Sequence, residues 1–431
     1  MKLAVIGGAS SYSPELIDGL LTRLGEIPVT EVWMMDPDAA RLEITAGFAR
    51  WMAARAAKQH GHSFTIHDTT DLREAVRDAR YVVTQIRVGK MQARIADEKL
   101  GLRHGIVGQE TTGVGGFACA LRTIPRVIEI ARAMEDLAPQ GVLVNFTNPS
   151  GIITEALVKH TAVTSVGLCN VPIGMVMDVV EHTGCAPDEV GLDYIGLNHL
   201  SWVRRFTAGG QDITDAALAQ FIERAHEEWE VEAVCENMVL AMNRLKMLCN
   251  GYLQYYYATD AVLDHLKAKE KTRGEEVVEI EQALFAKYAQ PDLDEKPEEL
   301  SKRGGAHYST AAFRLIGAIE HDTRSTQIVS CRNRGAVPTF DEDAVLEVPA
   351  VIGKDGAKAI AQPAPEPAIR GLMQNIKAYE SLTVEAAVTG DRQRAFQAML
   401  LHPLMPGAAG CKALLDDLLE INSPYLQGTF F

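Results

Sequence analysis

Lys2-Leu-Ala-Val-Ile-Gly7-Gly8-Ala-Ser10-Ser-Tyr-Ser13-Pro14-Glu15-Leu, with Glu31-Val-Trp-Met-Met-Asp36 further on, decides the fold of this chain. The first run is apolar and ends in two glycines, which reads as a buried strand, a tight turn and the start of a helix. Pro14 suits the first turn of that helix, where its missing N–H costs nothing. The second run reads as another strand, ending in an acid. Together they have the layout of a dinucleotide site. Small residues (Gly7, Gly8, Ser10) let the backbone approach a pyrophosphate at a helix N-terminus, and Asp36 accepts from the adenosine ribose hydroxyls. An acid at that place favours NAD over NADP. Ala9 and Ser13 stand where the second and third glycines of a strict G-x-G-x-x-G would fall, so a βα turn without a ligand would read the same way.

Outward from this unit the alternation continues. Phe64-Thr-Ile-His, Tyr81-Val-Val-Thr-Gln-Ile-Arg87 and Val142-Leu-Val-Asn-Phe-Thr147 are short apolar or β-branched runs, with helical stretches around 39–59, 71–78 and 116–136. The expected class is α/β: an N-terminal, Rossmann-like doubly wound sheet joined to a mostly helical α+β C-terminal domain. The division is expected at 1–195, an NAD-binding domain, and 196–431, a domain for catalysis, substrate and oligomerisation. In the second part, Trp202–Gly210 reads as a strand running into a hairpin turn, and 215–247 and 274–290 as helical. Lys302-Arg-Gly304-Gly305-Ala reads as a loop before another helix. Strand-like runs follow at Gln327–Arg332 and Ala344–Pro349.

In such sheets ligands gather at the carboxyl ends of strands, and several polar residues fall there. Cys169 and His199 each stand at or near the end of an apolar run, in Val166-Gly-Leu-Cys169-Asn170-Val-Pro172 and Gly196-Leu-Asn198-His199-Leu-Ser-Trp202. A thiolate and an imidazole brought to one point could hold a divalent metal with positions open to substrate oxygens. A core cysteine and a satisfied core histidine are the plainer alternative. Arg87 and Arg94 follow the Tyr81 strand, and Asn148 follows Phe146-Thr147. Two arginines beside an uncharged asparagine are what an anionic sugar substituent needs, although Asn148 could equally cap the next helix. Arg273 sits at a helix start where a cation is electrostatically misplaced, which makes an anion-binding role plausible there. Tyr252, Tyr255, Tyr256 and Tyr257 crowd one segment, and such clusters are usually packing with hydroxyls at the rim.

A net charge of −15 over 431 residues argues against nucleic-acid binding through a basic surface. Seven scattered cysteines without a CxxC pair suit a reducing compartment better than a disulfide framework. No apolar run approaches the roughly 20 residues that span a bilayer, and no signal-peptide pattern precedes the first strand. The expectation is a soluble, cytoplasmic protein.

Gly7-Gly8-Ala-Ser10, Gly108-Gln-Glu110-Thr-Thr-Gly113, Asn145-Phe-Thr-Asn148-Pro149, Cys169-Asn170-Val-Pro172 and Gly196-Leu-Asn-His199 together resemble the family 4 glycoside hydrolases, in order and across nearly the whole chain. That family requires NAD and a divalent metal, usually manganese, and stands outside the two-carboxylate rule for glycosidases. Cys-Asn-x-Pro resembles its 6-phospho-β-glucosidase branch. The α-specific branch carries an aspartate as proton donor where this chain has Asn170. The resemblance implies Cys169 and His199 as metal ligands, Tyr252 as base and Glu110 as the acid that tunes it. It further implies Arg94, Asn148 and Arg273 as contacts to a 6-phosphosugar, with Arg87 and Asn170 as further substrate contacts. The implied reaction converts a 6-phospho-β-glucoside such as cellobiose 6-phosphate to glucose 6-phosphate and an aglycone. It proceeds by C3 oxidation, C2 deprotonation, elimination, water addition and re-reduction. A homodimer or homotetramer is implied as well. The front half also resembles lactate and malate dehydrogenases. A plain oxidoreductase, a 6-phospho-α-glycosidase and a non-catalytic NAD or carbohydrate sensor are the competing readings.

Overall fold

The computed structural model describes residues 1–61, 63–290, 297, 300, 307–426 and 430. The loop expected at Lys302-Arg-Gly304-Gly305-Ala lies outside the described residues; the helix expected after it is present as Tyr308–Glu320.

Six short strands build the first half: β1 (Lys2–Ile6), β2 (Glu31–Met35), β3 (Thr65–Thr69), β4 (Tyr81–Thr84), β5 (Val142–Asn145) and β6 (Thr164–Gly167). They pair in parallel in the order β3-β2-β1-β4-β5-β6, which is the doubly wound dinucleotide-binding arrangement. Leu3, Val5, Val82, Val83, Leu143 and Val144 are all buried. Both faces of a parallel sheet are covered by its crossover helices, so its strands are apolar throughout rather than alternating.

The helices of this half are α1 (Ser13–Leu21), α2 (Ala39–His60), α3 (Leu72–Val76), α4 (Lys90–Arg103), α5 (Gly113–Leu137), α6 (Ser150–His160) and α7 (Asn170–Thr183). Pro14 lies in the first turn of α1, as its ring geometry dictates. Helix α4 went unseen in the sequence for a physical reason. Its inward face carries Arg94, Asp97 and Glu98 in among Met91, Ala93 and Leu100. Asp97 is fully buried in a two-pronged pair with Arg122 of α5, at 2.7 and 3.0 Å, so no apolar stripe marks the helix. The N-cap of α6 is Pro149, with no side-chain cap, so Asn148 does not cap that helix.

The second half adds β7 (Val190–Leu197), β8 (Leu200–Ala208), β9 (Gln211–Asp212), β10 (Leu248–Cys249), β11 (Ser325–Arg332), β12 (Val345–Gly353) and β13 (Gly356–Ala359). β11 joins β6 antiparallel through Ser330 and Gly167. One 13-stranded sheet therefore runs through both halves. Residues 195 and 196 both lie within β7. The stretch read as one helical region at 215–247 is two helices, Thr214–Glu228 and Glu232–Leu245. Among the described residues, no helix is long and apolar enough to cross a membrane.

Candidate active site

The glycine turn opens a cleft of 910 Å³ lined by Gly7, Ser10, Asp36, Arg87, Glu110 and Asn148, among others. Gly7 has φ +94°, and a Cβ there would sit 2.7 Å from the Gln85 carbonyl oxygen. The backbone can lie this close to β4 only with no side chain present. Gly8 is packed against Met34, 2.9 Å from where its own Cβ would be. Ser13, in the place of a third glycine, is accommodated by bonding. Its hydroxyl donates to Gly8 O at 2.7 Å and accepts from Gln85 Nε2 at 2.8 Å. Asp36 accepts from Ala9 N at 3.3 Å and Asp38 N at 3.0 Å, and burial pushes its pKa up. A carboxylate has about four lone-pair sites, so two remain for ribose hydroxyls. The cleft volume, the bare turn, the first turn of α1 and this carboxylate fit a dinucleotide.

Cys169 lies two residues beyond β6 and caps α7, its Sγ accepting from Val171 N at 3.5 Å. His199 occupies the two-residue turn between β7 and β8 at φ +64°, a rare conformation for a residue with a side chain. The turn thus delivers the ring to the end of β6: His199 Nε2 lies 3.5 Å from Cys169 Sγ. Two such donors on one tetrahedral ion would lie about 3.6 Å apart, so the pair fits a metal. Among the described residues, no cluster of three or more histidine, cysteine, aspartate or glutamate side chains could hold one.

Burial pushes the Cys169 thiol well up, with the Glu347 charge adding to it. Burial pulls His199 down to about 3, so its imidazole is neutral and its bare nitrogen is available as a donor. On the other edge of the ring, His199 Nδ1 meets Thr111 Oγ1 at 2.9 Å.

Tyr252 stacks flat on His199, with centroids 3.7 Å apart and planes at 5°. Burial raises its pKa, Cys169 and Tyr255 add to this, and the Arg94 charge opposes them. Glu110 is ion-paired with Arg87, and with Arg94 at 3.1 Å. Arg94 Nε also reaches Glu98 at 2.8 Å. The other oxygen of Glu98 accepts from Gly274 N at 2.8 Å, which brings the start of the Arg273–Tyr288 helix to the Arg94 cluster. Arg273 itself is exposed, is paired with Glu276 at 2.9 Å, and is not among the residues lining the cleft. Asn170 is the first residue of α7, its Oδ1 4.0 Å from Cys169 Sγ. Of the other tyrosines, Tyr256 meets His402 Nε2 at 3.4 Å.

Thr111, Asn198 and Glu347 escaped the sequence reading. Asn198 Nδ2 donates to the buried Glu347 at 3.0 Å, and Tyr194 donates to the same carboxylate at 2.5 Å. Glu347 came to notice in the sequence only as part of a strand. Thr111 lay in a stretch already conspicuous for its glycines, but its partner is 88 residues away.

A dinucleotide-type sheet with a buried thiol–imidazole pair and a stacked tyrosine beyond its cleft defines the class. Residues 2–185 match the family 4 glycosyl hydrolase model, and residues 194–405 match that of the family 4 glycosyl hydrolase C-terminal domain. The chain belongs to this family. It is 40% identical to a probable 6-phospho-β-glucosidase of Bacillus subtilis (strain 168), over 100% of this chain and 98% of that one. It is 30% identical to a 6-phospho-α-glucosidase of Leptotrichia buccalis, over 98% of each. A structure of the 6-phospho-β-glucosidase from Thermotoga maritima with manganese, NAD+ and glucose 6-phosphate superposes with a TM-score of 0.90, at 34% identity and 99% coverage of both chains.

Proposed function

We infer that this chain is an NAD- and divalent-metal-dependent 6-phospho-β-glucosidase, hydrolysing 6-phospho-β-glucosides to glucose 6-phosphate and an aglycone with no net change in NAD. The observation that carries this reading is the Cys169–His199 pair with Tyr252 stacked on it, joined to the dinucleotide cleft by the loop that holds Glu110 and Thr111. When bound, NAD supplies a hydride acceptor for C3, and the metal, manganese in the solved relative, supplies a Lewis acid beside the C2 and C3 oxygens.

The chain's own residues do the rest. Gly7, Gly8, Ser10 and Asp36 hold the dinucleotide. Cys169 Sγ and His199 Nε2 hold the metal, the thiol giving up its proton on binding. Tyr252 takes the C2 proton. Burial makes its hydroxyl a weaker acid and the Arg94 charge works against that; a metal held by Cys169 and His199 would favour the phenolate further. Glu110 holds Arg87 and Arg94, and Arg94 bears on Tyr252 through its charge. Arg94 and Asn148 contact the 6-phosphate, with Arg87 in support; Arg273, exposed and paired with Glu276, would have to leave that pair to join them. Asn170 contacts substrate beside Cys169; its carboxamide cannot donate a proton as an acid would, which favours the β-specific over the α-specific reaction. A metal-free dehydrogenase of the lactate or malate type would have no use for a thiol–imidazole metal site.

A cytoplasmic location belongs to the same reading, supported by seven cysteines that are all free. So does a homodimer or homotetramer, for which exposed Val388, Leu400 and Leu401 offer apolar surface. The test is release of nitrophenol from 4-nitrophenyl β-glucoside 6-phosphate with NAD and Mn²⁺ present, while absorbance of NADH is followed. Turnover without NADH accumulation is expected. NADH formed mole for mole with product, or preference for the α-anomer, would overturn the reading.

A further inference from the structure

The run Gly113-Val-Gly115-Gly116 at the start of α5 works as a close-approach device. A Cβ on Gly115 would lie 2.0 Å from the Gln109 carbonyl oxygen, and one on Gly116 would lie 2.5 Å from the Thr111 carbonyl oxygen. The loop is therefore pressed onto the helix, and its side chains are aimed at fixed targets. Thr111 N, which can only donate, lies 2.6 Å from one terminal atom of the Gln109 amide, so that atom is the carbonyl Oε1. Thr111 Oγ1 lies 3.0 Å from the same Oε1. Oε1 has no hydrogen, so a hydrogen bond between these two oxygens takes the hydroxyl's single proton. The oxygen of that hydroxyl then has only lone pairs to offer His199 Nδ1, 2.9 Å away. Nδ1 must carry the ring proton, which leaves Nε2 bare and facing Cys169 Sγ.

We propose that Gln109 and Thr111 form a hydrogen-bond relay that fixes His199 in its Nδ1–H tautomer and so presents Nε2 as a metal donor. Both are positioning residues, and the proposal rests on the reading of Cys169 and His199 as metal ligands. Partners of this kind on a ligating histidine are worth about 10- to 100-fold in metal affinity.

The test uses full-length protein without NAD or substrate. Co²⁺ binding is read by thiolate-to-cobalt absorbance, and the His199 tautomer by ¹⁵N resonances of the metal-free protein, assigned with His199→Ala. Wild type should show Nδ1–H. Thr111→Val should lose about 10- to 100-fold in Co²⁺ affinity, and Thr111→Ser should restore it. Gln109→Leu frees the Thr111 proton to turn toward the ring, so it should shift His199 toward Nε2–H and weaken Co²⁺ binding with Thr111 intact. An Nε2–H tautomer in wild type would overturn the proposal, as would wild-type Co²⁺ affinity in Thr111→Val. Should Thr111→Val fail to fold, an unchanged tautomer in Gln109→Leu would overturn it. An Nδ1–H tautomer that depends on Gln109, in a protein that binds no Co²⁺, would support the relay while refuting the metal reading.

Discussion

Replacing Tyr252 by phenylalanine separates catalysis from architecture. The ring supplies the contact with His199, at 3.7 Å and 5°, and phenylalanine keeps that ring. No hydrogen bond joins the Tyr252 hydroxyl to another described residue, so its loss should change unfolding free energy by less than about 1 kcal/mol. Proton abstraction by a positioned base is worth about 10²- to 10⁴-fold in rate, roughly 3–5.5 kcal/mol of barrier. Tyr252→Phe should therefore melt and bind NAD and Mn²⁺ like wild type, yet lose about 10²- to 10⁴-fold in kcat on a 6-phospho-β-glucoside. The assay pairs steady-state turnover with substrate deuterated at C2, which should slow the wild-type enzyme. Transient NADH should still form in the mutant, because removal of hydride from C3 precedes enolisation. Normal cleavage by Tyr252→Phe would refute the assignment. Loss in Tyr255→Phe or Tyr256→Phe instead would move the base along the segment, and absence of any C2 isotope effect would refute deprotonation as a step.

Cys169→Ser and His199→Ala should each abolish Mn²⁺-dependent turnover in folded protein; wild-type activity in either after chelation would make them core residues only. Arg94→Ala should cut the preference for 6-phosphorylated over plain β-glucosides about 10- to 100-fold, and an unchanged ratio of kcat/KM would remove Arg94 from phosphate binding. Glu155 is fully buried; burial pushes its pKa up, but Lys377 and Lys159 outweigh this and hold it at about 2, below its ordinary 4.5. Its folded pKa is lower than its unfolded one, so its stabilisation, on the order of 3 kcal/mol, is present above pH 4.5 and is lost as pH falls toward 2. The advantage of wild type over Glu155→Gln in denaturant melts should accordingly shrink across that range, and a constant difference would contradict the pairing.

The front sheet was legible in the sequence because its signals are local. A buried parallel strand must be apolar, the turn after β1 must be bare where it meets Gln85, and Pro14 can open a helix but not continue one. The same local logic placed Asp36 at the end of β2 and drew attention to Cys169 and His199. Their partnership came from resemblance. Only the folded chain sets Sγ and Nε2 3.5 Å apart, because only the β7–β8 register puts His199 in the turn. Helix α4 stayed hidden because its buried face is charged, and those charges are satisfied by Arg122 and Glu110, which periodicity cannot foresee. Thr111 and Gln109 look like ordinary loop residues until the glycines of α5 let their backbone lie against that helix. The merging of both halves into one sheet hangs on the antiparallel seam at Ser330 and Gly167. Composition and propensity act along the chain, whereas register, charge pairing and the aim of a side chain are decided between segments far apart in it.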